Sequence, residues 1–107
     1  MKLRTTSIAD ADVAEAALWL ENEQAGLGSV FIDAVAETFA KIADGRFACP
    51  TLNAPNISLK APLRSKIIGR FPYRAIFALQ GDEIIVVGVL HGHRDLETIL
   101  RSRVGTV

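Results

Sequence analysis

The sequence predicts an α+β domain in which a small antiparallel β-sheet carries an N-terminal αα-hairpin on one face. Three observations support this class. The C-terminal half contains two long apolar runs separated by a turn, the N-terminal half contains two stretches with helical periodicity, and the length of 107 residues suits one domain spanning residues 1–107. The predicted order is β-α-α-β-β-β, with a short helix following at the C-terminus.

Residues 70–95 contain the clearest pattern, a β-hairpin. Residues 73–80 show the alternation that is typical of a strand whose faces differ. One set is Tyr73, Ala75, Phe77 and Leu79, and the other is Arg74, Ile76, Ala78 and Gln80. Residues 84–90 contain no polar side chain, which predicts a central strand covered on both faces. Between them, Gly81 suits a tight turn. Antiparallel pairing would bring residues from both runs to one end of the sheet: Arg70, Tyr73 and Arg74 with His91, His93 and Arg94.

The N-terminal half predicts an edge strand over residues 1–6 and then a helix to about residue 25. Ser7 and Asp10 resemble a capping box at the start of this helix. Its predicted apolar rows are Ile8, Ala11, Ala14 and Leu18, then Val13, Ala17 and Leu20. The side chains predicted to face water are Asp12, Glu15, Asn22 and Glu23. Trp19 lies near the apolar stripe, so a packing role is expected for it.

Two glycines, Gly26 and Gly28, end the first helix and begin a second one, which together form an αα-hairpin. The second helix shows apolar spacing at three and four residues and stops at residues 44–45: Phe31, Ala34, Val35, Thr38, Phe39 and Ile42. Residues 46–62 contain three prolines and predict an irregular loop. Residues 63–69 predict a third strand with Arg64 and Lys66 on one side, and Asp95 can cap a last helix to about residue 103.

Composition narrows the function classes. The net charge is zero and no apolar stretch is long enough to span a membrane. No secretory signal is visible and the single cysteine allows no internal disulfide, so we expect a cytoplasmic protein without a membrane partner.

The charges are segregated along the chain. Residues 1–44 hold eight acids, whereas residues 45–81 hold none and contain six basic residues, namely Arg46, Lys60, Arg64, Lys66, Arg70 and Arg74. Such a basic segment attracts nucleic acid or an acidic protein, or it packs near the acidic helices and neutralises them.

Several short motifs, in this order and within this length, carry a resemblance to a known family. They are Gly26-Leu27-Gly28 followed by Phe31, Pro50, Arg64, Phe71-Pro72-Tyr73 and His91-Gly92-His93-Arg94-Asp95. Over nearly its whole length the chain resembles the RelE/ParE superfamily of toxins from type II toxin–antitoxin systems, and it is most similar to the ParE branch. The resemblance implies a toxin that forms a hetero-oligomer with a cognate antitoxin, whose C-terminal segment wraps around it.

The resemblance implies two alternative targets. ParE-like members inhibit DNA gyrase, and RelE-like members cleave mRNA on the ribosome. The fold does not decide between them. The absence of a tyrosine after Arg94 favours a gyrase-binding inhibitor over an enzyme. A third alternative is an inactive toxin fold that only binds its antitoxin.

Metal-free cleavage of RNA requires proton-transfer groups and cations around the phosphate. The catalytic candidates for that alternative are Arg64, Lys66, Arg70 and Arg94 as cations and His91 or His93 for proton transfer. Tyr73 is interpreted as a half-buried packing residue and His91 as a residue that fills the end of its strand. The two histidines lack a third ligand, so neither a metal nor another cofactor is expected.

Binding of a target or antitoxin is assigned to a set of basic and aromatic residues: Lys60, Arg64, Lys66, Arg70, Tyr73, Arg74, His91 and Arg94. An acidic partner segment would suit the basic stretch within residues 60–74. We also expect a partner peptide in an apolar groove between the sheet and the helical hairpin, because the chain is rich in apolar residues for its size.

Overall fold

The computed structural model of the chain describes residues 2–45 and 63–92. Its elements are β1 (Lys2–Thr5), α1 (Ser7–Glu23), α2 (Leu27–Ala43), β2 (Leu63–Ile67), β3 (Tyr73–Gln80) and β4 (Glu83–His91). This order confirms the predicted α+β class with its sequence β-α-α-β-β-β. The predicted loop at residues 46–62 and the predicted C-terminal helix lie outside the described residues.

The four strands form one sheet in the order β1-β4-β3-β2. β2 with β3 and β3 with β4 pair antiparallel, as predicted, but β1 pairs parallel with β4. The sheet is therefore mixed, and the prediction of a wholly antiparallel sheet is wrong for this one pairing. Only a hairpin forces neighbouring strands to run in opposite directions, and β1 is separated from β4 by both helices and two strands.

β4 is the central strand that the apolar run predicted, since every residue from 84 to 90 is buried. A register shift makes Ile76 the partner of Gly88 and Phe77 the partner of Val86, which leaves Val87 as an extra residue in β4. Because of this bulge, Val86 and Val89 both belong to the core cluster with the two helices. At the other end of the hairpin Gly81 has a φ of 62°, as the turn requires.

α1 begins one residue earlier than the predicted capping box. Its N-cap is Thr6, whose Oγ1 accepts a hydrogen bond from the Ala9 N–H at 3.1 Å. The Asp10 carboxylate instead accepts from the Thr5 hydroxyl at 2.6 Å. Ser7 is exposed, so the box of Ser7 and Asp10 does not form.

The buried face of α1 also differs from the prediction. The buried residues are Ala9, Ala16 and Leu20, whereas Leu18 is 64% exposed. Alanines occur all round this helix, so the sequence pattern supports more than one apolar stripe. The tertiary contact with β4 selects which one is buried.

The two helices approach closely at the start of α2. Gly26 has a φ of 89°, and the Glu21 carboxylate accepts hydrogen bonds from the N–H groups of Gly26 and Gly28 at 2.8 and 3.0 Å. A Cβ at Gly28 would lie 2.7 Å from the carbonyl oxygen of Ala17, so only glycine fits there without a shift. The buried residues of α2 match the predicted spacing: Phe31, Val35, Thr38 and Ile42.

Both faces of the sheet are apolar at their centre. The face under the helices contributes Ala75, Phe77, Ile84, Val86 and Val89 to the main core cluster. On the opposite face the buried side chains include Leu63, Ser65, Ile76, Ala78, Ile85 and Leu90. Each large aliphatic side chain buried in this way stabilises the fold by about 1.5–3 kcal/mol relative to exposure.

Candidate functional site

The end of the hairpin brings together the aromatic residues of the two predicted motifs. Tyr73 pairs with His91, and their rings meet edge to face with centroids 5.2 Å apart. The Tyr73 ring lies at the same distance from Phe31, which contacts Phe71 at 5.1 Å. Tyr73 and His91 are both half-buried, so their positions agree with the packing roles predicted for them.

The basic candidates are divided between the two faces of the sheet. Arg64 and Lys66 are the partners of Phe77 and Ala75, so both lie on the face that carries the helices, as alternation predicts. Arg74 lies on the opposite face, where its Nη1 is 3.4 Å from Ser65 Oγ. Arg70 is exposed in the connection between β2 and β3. Lys60, His93 and Arg94 lie outside the described residues.

Two of the described cations, Arg64 and Lys66, lie two strands away from His91 in the sheet. Lys66 is level with Ala75 and Val89, two strand spacings or about 10 Å away from β4. His91 lies two residues further along, about 7 Å, which places the two Cα atoms roughly 12 Å apart. Arg64 is two residues further away still. A proton-transfer group must lie within hydrogen-bond reach of the reacting atoms, so Arg64 and Lys66 could act on the same phosphate as His91 only by extending their side chains toward it. The catalytic role of these residues stays a prediction.

A cavity of about 280 Å³ lies between α1 and the C-terminal half of β4. We call it the α1–β4 groove, and its lining residues are Asp12, Glu15, Ala16, Trp19, Tyr73, Val89, Leu90 and His91. It lies between the sheet and α1, the first helix of the hairpin, where the sequence predicts a groove; binding of a partner there stays a prediction. Its walls, however, combine apolar surface with two carboxylates, so the groove is less apolar than predicted.

Three residues that line the groove were not predicted from the sequence to belong to a binding site. Asp12 was predicted to face water, but its Oδ2 accepts a hydrogen bond from the Val89 N–H at 3.0 Å. Trp19 was assigned a packing role, yet 56% of it is exposed. The sequence contains a signal that could have grouped these residues. Asp12, Glu15 and Trp19 follow one another at intervals of three and four residues, so they lie on one face of α1.

In residues 2–45 and 63–92 no group of three histidine, cysteine, aspartate or glutamate side chains could hold a metal ion. Neither described helix is long and apolar enough to cross a membrane.

Comparison with known proteins assigns the chain to a protein family. Residues 3–96 match the family model described as the ParE toxin of the type II toxin–antitoxin system parDE. The structure is similar to a chain from "Chromosomal ParDE TA system from P. aeruginosa", with a TM-score of 0.65 and 20% sequence identity over 85% of this chain and 95% of that chain. At this identity the similarity concerns the fold. No curated protein sequence matches the chain. Because the family model covers most of the chain, the protein belongs to the ParE toxin family of type II toxin–antitoxin systems, as its motifs predicted.

Proposed function

We propose that this ParE-family toxin inhibits growth by binding DNA gyrase and that a cognate antitoxin neutralises it. The observation that supports a binding mechanism is the arrangement at the end of the hairpin. His91 is half-buried against Tyr73, and Tyr73 contacts Phe31 in the core. Arg64 and Lys66 lie two strands away on β2. Such an arrangement suits a rigid docking surface better than a compact set of proton-transfer groups.

The part of this surface that we assign to a macromolecular partner is the basic edge at β2. β2 is an outer strand of the sheet, and Arg64, Lys66 and Arg70 follow one another along it and into the next turn. Clustered cations on an outer strand favour association with an acidic protein segment or with the phosphates of a protein–DNA complex. In this proposal they contact gyrase while it holds DNA, and an acidic antitoxin segment competes for them.

The test combines a gyrase assay with a translation assay on the same purified toxin. We expect the toxin to inhibit supercoiling by gyrase and to leave translation on isolated ribosomes unchanged. The double variant K66E/R70E should weaken inhibition, because it reverses two charges of the basic edge. The matched control is K41E on α2, which reverses an exposed charge outside this edge and should leave inhibition unchanged. Purified antitoxin should restore supercoiling.

Two outcomes would contradict the proposal. Absence of any effect on gyrase would remove the target. Cleavage of mRNA on ribosomes would instead support the endoribonuclease alternative. Loss of that cleavage in H91A, with the free energy of unfolding unchanged, would then indicate a proton-transfer role of His91 rather than a packing role.

A further inference from the structure

Five large apolar side chains are exposed in the described part of the chain, and four of them lie on the helical hairpin. The five are Leu18, Trp19, Val30, Ile32 and Ile67. Trp19 lines the α1–β4 groove, whereas Leu18 and Ile32 do not and are 64% and 43% exposed. Apolar surface concentrated on one element is typical of a binding surface, since single exposed apolar residues are normally scattered.

Helix geometry places Leu18 on the outside of the hairpin. It lies two residues from Ala16 and two residues from Leu20, and both of these are buried. Two residues correspond to about 200° around a helix, so Leu18 points away from the sheet that the buried residues cover. Its exposure agrees with this direction.

Ile32 lies beside Leu18 on the second helix. α1 and α2 touch at Gly28, where a Cβ would meet the carbonyl oxygen of Ala17 at 2.7 Å. Ile32 follows Gly28 by four residues, so it lies one turn further along the same side of α2. Leu18 directly follows Ala17. The two exposed side chains are therefore about 5 Å apart along the hairpin, one on each side of the crevice between the helices.

Two exposed alanines extend this apolar surface. Ala14 is four residues from Leu18, and Ala36 is four residues from Ile32. Rows of side chains at intervals of four residues form the ridges of a helix, and the depression between two such rows accepts the ridge of another helix. We call the surface formed by Ala14, Leu18, Ile32 and Ala36 the outer hairpin face. It faces away from the sheet, so it is separate from the α1–β4 groove.

The charge around the outer hairpin face selects among its possible occupants. α1 and α2 contain seven acidic residues and one base, Lys41, which pairs with Glu37 at 3.1 Å. Asp33 is exposed next to Ile32. A second copy of the chain would bring these acidic helices together, and DNA or an anionic lipid surface would be repelled in the same way. A basic protein surface would be complementary.

We propose that the outer hairpin face docks a basic amphipathic helix of a partner protein. The apolar stripe of that helix lies over Leu18 and Ile32, and its flanking lysine or arginine side chains face Asp33 and the other acids of the hairpin. This site lies on different elements from the basic edge of β2 and takes a partner of opposite charge. The inference therefore goes beyond the proposed function and does not depend on gyrase being the target.

The test uses the full-length toxin and three fluorescein-labelled, end-capped synthetic peptides. Each is a helix of five turns, roughly 18 residues. The first has leucines at intervals of three and four residues with lysines on both flanks, and the second has glutamates in place of the lysines. The third has the composition of the first, but its leucines are spread around the helix. Fluorescence anisotropy should show saturable binding of the first peptide, at least tenfold tighter than that of the other two.

Matched variants locate the binding surface. L18S and I32S should each weaken binding of the first peptide about tenfold, because each removes apolar area that the peptide covers. V30S is the control, since Val30 is 55% exposed on the same helix but lies two residues from Ile32 and hence on another side. It should leave the affinity within about twofold. All three positions are exposed, so circular dichroism should show unchanged folding.

A second pair of variants tests the role of charge. D33N should weaken binding of the first peptide about threefold, the order expected for an exposed ion pair, whereas D82N removes an exposed charge at the other end of the chain's fold and should have no effect. The proposal is overturned by equal binding of the three peptides, by equal losses in V30S and I32S, or by no saturable binding up to roughly millimolar peptide.

Discussion

Asp12 provides the sharpest test of how α1 is attached to the sheet. Its carboxylate accepts the Val89 N–H at 3.0 Å across a sequence separation of 77 residues, at the point where β1 no longer covers β4. A hydrogen bond to a charged group contributes about 1.5–3 kcal/mol, and a neutral one about 0.5–1.5 kcal/mol. Asp12→Asn keeps an acceptor oxygen of similar reach, so it should lower the free energy of unfolding by about 1 kcal/mol. Asp12→Ala removes the acceptor and should cost about 2–3 kcal/mol.

These differences are large enough to measure by urea unfolding followed by circular dichroism. With a slope of about 1.5 kcal/mol per molar urea, Asp12→Ala should lower the midpoint by roughly 1.5 M, and Asp12→Asn by about half as much. Glu15→Ala is the matched control, since it removes an exposed carboxylate from the same helical face and should change stability by less than about 0.5 kcal/mol. Equal losses in Asp12→Asn and Asp12→Ala, or an Asp12→Ala loss no larger than that of the control, would refute this account.

Two further substitutions test the packing and the start of the helical hairpin. Phe31 is fully buried and contacts two aromatic rings. Phe31→Ala should therefore lower the free energy of unfolding by about 3–5 kcal/mol and expose the protein to rapid proteolysis. A loss below about 1 kcal/mol would contradict the central role of this side chain. Thr6→Ala should cost about 1 kcal/mol, or about 4 °C in Tm, because it removes the N-cap of α1, whereas Ser7→Ala should be nearly neutral. Calorimetry on both variants would show which residue caps α1, and a larger loss of stability at Ser7 would favour the capping box predicted from the sequence.

The central hairpin was predictable because its information is local. A fully apolar run next to an alternating run and a glycine turn leaves little choice of structure, and both strands and their turn follow from it. The exact pairing of Tyr73 with His91 depends in addition on the bulge at Val87, which the local pattern does not predict. The buried positions of α2 were equally clear, since Phe31, Val35 and Ile42 form one stripe at helical spacing, although the exposed side carries Val30 and Ile32 beside its polar residues.

α1 and β1 were less predictable because local patterns there permit several solutions. Alanines surround α1, so the sequence does not say which stripe is buried, and Leu18 was placed in the wrong one. The direction of β1 depends on how the helical hairpin crosses the sheet, which no short-range signal encodes.

The sequence by itself determined the α+β class, the order of the elements, the central strand and the motifs that place the chain in the ParE toxin family. These features rest on periodicity, turn chemistry and short motifs, all of which are local properties of the chain. Only the tertiary structure decided that β1 runs parallel to β4, that the cations divide between two faces, and that Asp12, Glu15 and Trp19 line a groove beside β4. These features depend on which helix face packs against which strand edge, and such contacts join residues far apart in the sequence.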